Sequence, residues 1–259
     1  QSYIDEARKL EGAVADEPAE GKLDKLLAAA DKSSDAGDNL KAADSLRKAI
    51  RLDPDRNDLW WRYSDQAILV PQDNDRHDTF VQESTAAAIN AYLRAADVDE
   101  QVAALNSLAN SFVTRENWDL GIKTLRRRLA LQDDPDWRSA YDDWIAQHGF
   151  RVADNSVDTQ SSTPRICVTF SDPIARNDPS VTGYFAVEGG ERLEIEAEDN
   201  QICAAGVEYG NRYHVTVRKG LPAKDGEETL NKTVDLDIYV RDRDPSVRFV
   251  GKAYVLPKT

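Results

Sequence analysis

With 259 residues, 41% of them hydrophobic, and a mean hydropathy of -0.61, the chain can build the cores of two domains and holds no apolar run long enough to span a bilayer. A net charge of -14 repels phosphate backbones and anionic lipid, which excludes nucleic acid as a partner and any simple electrostatic contact with a membrane by this chain itself. Most of that charge lies early: residues 1–160 hold 20 Lys+Arg against 31 Asp+Glu, residues 161–259 hold 13 against 16.

The first part of the chain reads as helical and repetitive. In Leu26 to Pro54 apolar or small residues fall at Leu26, Ala29, Ala30 and Ser33, and again at Ala42, Leu46 and Ala49. Spacings of three and four put each set on one helical face. Ala30 and Ala42 are small where two antiparallel helices must approach, Gly37 and Asp38 occupy the turn, and Pro54 ends the second helix. The pattern resembles a tetratricopeptide repeat. A second unit opens at Asn57 with Trp60 and Tyr63 in large positions, and the polar loop "VPQDNDRHD" interrupts it. A third runs through Leu105, Leu108, Ala109 and Phe112, then Trp118, Gly121 and Leu125. After Asp134-Pro135 a last helix carries Trp137, Tyr141, Trp144 and Ile145 on one face. An α-helical, tetratricopeptide-like repeat domain is predicted over 1–152, with a plain helical bundle as the alternative.

Trp60, Trp61 and Tyr63 are the candidate partner-binding surface, because stacked helix pairs often serve as binding scaffolds. Trp60 and Trp61 are adjacent, hence about 100° apart on a helix, so they cannot both point one way. One is expected in the repeat core and the other on a concave face, unless both are buried between helix pairs.

The character changes near residue 155. All five Trp precede it; both Cys and eight of the thirteen Gly follow it. Residues 153–164, polar and poor in apolar side chains, read as a linker. Strand candidates are Arg165–Phe170, Gly183–Val187, Leu193–Ala197, Gln201–Ala204, Arg212–Arg218 and Thr233–Arg241, separated by Gly, Asn, Asp and Pro. They predict an immunoglobulin-like β-sandwich over 165–245. Glu194, Glu196 and Glu198 alternate, so they share one face; the expectation is a row that solubilises an exposed strand and blocks edge pairing, with binding of a cation or basic partner as the alternative.

Metal and catalytic chemistry are not supported. The loop from Asp73 has Asp78 where a calcium loop needs Gly and Ser84 where it needs Glu; the loop from Asp53 fails the same way with Asp58 and Ser64. His77, His148 and His214 have no companion spacing. No cofactor is expected, and the chain is not expected to be an enzyme.

Cys167 and Cys203 each follow an Ile in a strand candidate. With Ile166 and Ile202 facing the core, both Cys face outward and can meet across neighbouring antiparallel strands as a disulfide. Two buried free thiols are the alternative. A disulfide would fit an oxidising compartment.

"RICVTFSDPI", "VEYGNRYHVTVRKGLPAKDGE" and "VRDRDPSVRFVGKAYVLPKT" resemble the bacterial alpha-2-macroglobulin family over roughly residues 163–259, and the helical part resembles it loosely. The resemblance implies a macroglobulin-like β-domain, with residues 246–259 the start of a further domain. With no Met in the chain, the expectation is a processed or excised piece of a longer product. It also implies a periplasmic protease inhibitor, often lipid-anchored through a segment upstream. The partners implied are the parent's remaining domains, target proteases through the parent, and an envelope protein at the helical repeats. The family's Cys-x-Glu-Gln thioester motif is missing: Cys167 precedes Val168-Thr169-Phe170 and Cys203 precedes Ala204-Ala205-Gly206. This leaves a structural and docking role. A periplasmic tetratricopeptide adaptor with a β-domain spacer is the alternative.

Overall fold

Side-chain caps set five of the helix starts in the computed structural model, which describes residues 2–159, 163–174, 179–190, 192–224, 226 and 228–242. Ser2, Asp38, Asp97, Asn117 and Asp134 each accept from a backbone N–H of the first turn that would otherwise lack a partner. The helices so begun are α1 (Tyr3–Ala15), α3 (Asn39–Leu52), α6 (Val98–Thr114), α7 (Trp118–Leu131) and α8 (Pro135–His148). Between them lie α2 (Leu23–Asp35), α4 (Asn57–Ile68) and α5 (His77–Arg94). All eight belong to the first of two compact units, Gln1–Gly149 and Phe150–Thr259.

The helices α2/α3, α4/α5 and α6/α7 form three hairpins in tandem, each packed on the next, and α8 covers α7. This is a tetratricopeptide-like repeat domain. Ala30 and Ala42 are buried where α2 meets α3, and Gly37, at φ +72°, makes the turn. At the α6/α7 crossing a Cβ on Gly121 would stand 2.7 Å from Val113 Cγ2, so only glycine fits that approach. Trp60, Tyr63, Phe80, Leu46, Ile50 and Leu59 are fully buried, each worth about 1.5–3 kcal/mol in apolar area removed from water.

Helix α1 lies outside the predicted repeats. Ala7, Leu10 and Val14 bury its apolar stripe against α5 and α3. Polar contacts run along its length. Tyr3 packs edge-on to Phe112 and accepts from Asn117, Glu6 pairs with Arg115, Glu11 with Arg94, and Glu17, just past its end, with Arg47. It therefore touches the third hairpin at one end and the first at the other. Enclosure by α1, α4 and α6 explains why α5 buries Ala86, Ala87, Ala88 and Ala91 in succession.

Among the described residues the second unit is a sandwich of seven strands. Strands β1 (Val152–Asp158), β2 (Arg165–Phe170), β5 (Gln201–Ala205) and β4 (Glu194–Glu198) form one antiparallel sheet in the order β1-β2-β5-β4. Strands β3 (Phe185–Val187), β6 (Arg212–Val217) and β7 (Val234–Tyr239) form the other in the order β3-β6-β7. Lettered in sequence these are ABED and CFG, the immunoglobulin constant-type arrangement. Ile166, Val168, Ile202 and Ala204 from one sheet share a core with Phe185, Val215, Val217 and Ile238 from the other. The Glu208 N–H donates to the Tyr213 hydroxyl at 2.8 Å, tying the start of β6 to the turn before it.

The predicted linker is corrected here. Residues 153–158 are part of β1, in register with β2 from Asp154↔Thr169 to Asp158↔Arg165. Its side chains are mostly polar because it is an edge strand, and backbone pairing rather than apolar alternation holds it. The predicted continuation over 246–259 lies outside the described residues.

Candidate docking groove

Two of the three residues expected on a binding surface are in the core. Trp60 is fully buried: its Nε1 donates to the Pro54 carbonyl at 2.8 Å, and the Arg94 guanidinium lies 5.0 Å above its ring. The Tyr63 hydroxyl donates to Glu83, and burial followed by the nearby Glu83 charge pushes its pKa far up. Arg47 joins them, 2.8 Å from Glu83 and paired with Glu17. Both aromatic rings point inward on α4 because the 3.6-residue period puts positions 60, 63 and 67 on one face, and the other hairpin helices close over it. Trp61, about 100° further round the helix, packs at the margin of that core and is half-buried.

Trp61 lines a groove of about 480 Å³ between α2 and α4. Its floor is Ala30 and Leu46, both buried. Positions 31, 34 and 35 of α2 and 61, 62, 65 and 66 of α4 make its walls, spacings that place each set on one helical face. Two side-chain bridges span it: Arg62 pairs with Asp31, and Gln66 Nε2 donates to Ser34 Oγ at 3.1 Å.

Asp65 is the exceptional group. It is half-buried, and burial pushes its carboxyl up to about 6 against a smaller downward pull from the Ser107 hydroxyl of α6. Arg62, the cation of the groove, is engaged with Asp31, and no described Lys or Arg pairs with Asp65. The Gln66 Oε1 is also out of solvent and without a hydrogen-bond partner. Nothing in the spacing announces this grouping, since Asp31 and Asp65 are more than thirty positions apart and look like ordinary surface carboxylates.

Elsewhere, Cys167 and Cys203 form a disulfide across the paired positions of β2 and β5, on the face opposite the sandwich core. Glu196 is the cross-strand neighbour of Cys203, and all three glutamates of β4 are exposed on that edge strand. His77 Nδ1 lies 2.8 Å from the Val70 carbonyl and pins the polar loop; His214 Nδ1 lies 2.9 Å from Asp237. His148 stacks on Trp118 with ring centroids 3.5 Å apart. Among the described residues no group of three or more His, Cys, Asp or Glu is arranged to hold a metal ion, and no described helix is long and apolar enough to cross a membrane.

No family model matches the chain, and no curated protein matches it. One solved structure to which it is similar is the N-terminal domain of stress-induced protein-1 (STI-1) from C. elegans, at 16% identity and a TM-score of 0.37, over 56% of this chain and 98% of that chain. The repeat assignment stands on this chain's own hairpins.

Proposed function

We propose that this chain is a non-catalytic docking segment: the helical unit binds a partner protein through the α2–α4 groove, and the β-sandwich is a spacer that continues into further domains. The observation that carries the reading is an open groove that keeps a half-buried carboxylate without a cationic partner. A helix pair optimised only for packing would not retain it. The parent in this reading is a bacterial alpha-2-macroglobulin-like periplasmic protease inhibitor, supported by the resemblance of residues 163–259 and by the disulfide, which suits an oxidising compartment.

Photo-crosslinking in the native host tests the docking role. A photoreactive residue at Ser34 or Trp61 is expected to trap one defined protein, and one at exposed Arg8 of α1 none; blank or identical patterns would refute it. The parent is tested separately by the coding sequence that follows residue 259. Further macroglobulin-like β-domains are expected, and an early stop codon would overturn that part. The isolated chain is expected to leave trypsin active when added in excess.

A further inference from the structure

We propose that the α2–α4 groove recognises a lysine or arginine side chain of its partner, with the cationic head received between Asp65 and Asp35. The inference rests on the docking reading and names the chemistry of the partner.

Three observations lead to it. The groove walls carry Asp31, Asp35 and Asp65 against the single cation Arg62, and Arg62 is committed to Asp31. Asp35 and Asp65 are left with no described ion-pair partner, so an incoming anion is repelled and an incoming cation is attracted. Second, the unmet hydrogen-bonding capacity is all of one kind. Asp65 has only the Ser107 hydroxyl to offset its burial, and Gln66 Oε1 has no donor. Both are acceptors, and an ammonium or guanidinium brings only donors. Third, the half-buried Trp61 offers apolar surface beside these acceptors, backed by the buried Ala30 and Leu46. A long side chain with a methylene stem and a charged end matches that pairing of an apolar wall and a polar end, and the indole face adds attraction for a cation. An apolar side chain would instead bury Asp65 further with nothing to compensate it.

The test uses the full chain, isotope-labelled for NMR, and three capped eight-residue peptides in which Ser alternates with Lys, Glu or norleucine. The Lys peptide is expected to move the Trp61 indole and the Ser34 and Gln66 amide signals saturably. Asp65→Asn is expected to weaken it by about tenfold to a hundredfold, the range for losing a hydrogen bond to a charged group. Asp35→Asn, at an exposed position where folding is not at risk, is expected to weaken it less. If the Glu or norleucine peptide moves the same signals as strongly, the partner chemistry is wrong while the docking groove survives. If no peptide reaches the groove and the crosslinker at Ser34 is also blank, both readings fall. A Lys peptide that spreads over the acidic surface, including Glu194 to Glu198, without selecting the groove overturns the proposal. Calcium ions alone moving the groove signals and displacing the peptide would overturn it in favour of a metal site.

Discussion

Replacing Asp65 by Asn is expected to stabilise the helical unit at neutral pH and to leave it unchanged in acid. Burial raises the carboxyl from its ordinary 3.8 to about 6. That shift is worth about 3 kcal/mol at 1.36 kcal/mol per unit, and partial exposure reduces it to about 1–3 kcal/mol. Because the folded-state value is raised, the native chain binds more protons than the unfolded chain between about pH 4 and pH 6. Stability is therefore full below the unfolded value and falls as pH rises through the folded one. Asn keeps a polar group for Ser107 and cannot ionise, so it escapes the loss. All five Trp lie in the helical unit, so urea unfolding followed by Trp fluorescence reports on that unit. The variant should unfold at higher urea at pH 7.5 and coincide with the parent at pH 4. Equal stability at pH 7.5, or a gap that does not close on acidification, would refute the account of a carboxylate buried without a cation.

Removing the disulfide by Cys167→Ala with Cys203→Ala should cost the sandwich about 4 kcal/mol in the chain-entropy model, for a sequence separation of 36. Circular dichroism should show an earlier β transition while the Trp transition stays in place, and a common shift of both would contradict two separate units. Gly121→Ala should destabilise the α6/α7 hairpin by about 1–3 kcal/mol, since the new methyl meets the stiff Val113 side chain, with partial rescue by Val113→Ala. A gain in stability, as helix propensity alone would give, would show that the crossing relaxes. Asp237 accepts from the exposed His214 ring and holds its pKa above the ordinary 6.5. The pair's contribution is therefore full below that value and lost as pH rises through the raised one. NMR titration should show the His214 midpoint falling in Asp237→Asn, and an unmoved midpoint would assign the shift to another group.

The hairpin of α2 and α3 was legible because its apolar residues keep one period and its turn holds Gly37, the residue a positive φ favours. The six strand candidates were legible from alternation and turn residues; β1 was not, because an edge strand can be held by backbone pairing and needs few apolar side chains. Helix α1 has only Ala7, Leu10 and Val14 as buried residues among many charges, too thin a stripe to announce itself. At the site, sequence could say that Trp60 and Trp61 diverge but not which one turns inward. That was decided by Pro54 and Arg94, which receive Trp60 from other parts of the chain. The pairing of Asp31 with Arg62, which leaves Asp65 alone, is a property of two helices side by side and of neither separately.

Helix α1 changes what kind of object the repeat unit is. A stack of hairpins that touch only their neighbours behaves like a row of dominoes, able to fray from either end and to flex like a spring. Here Glu6 and Tyr3 hold the turn after α6, Glu11 holds Arg94 of α5, and Glu17 holds Arg47 of α3. One rigid rod thus spans the row and links its first member to its last. Loosening any hairpin must strain the rod's grip on the other two, so the three share a single fate on unfolding. The stack also loses the freedom to open and close its curvature, which leaves the spacing of α2 and α4 set before anything arrives between them.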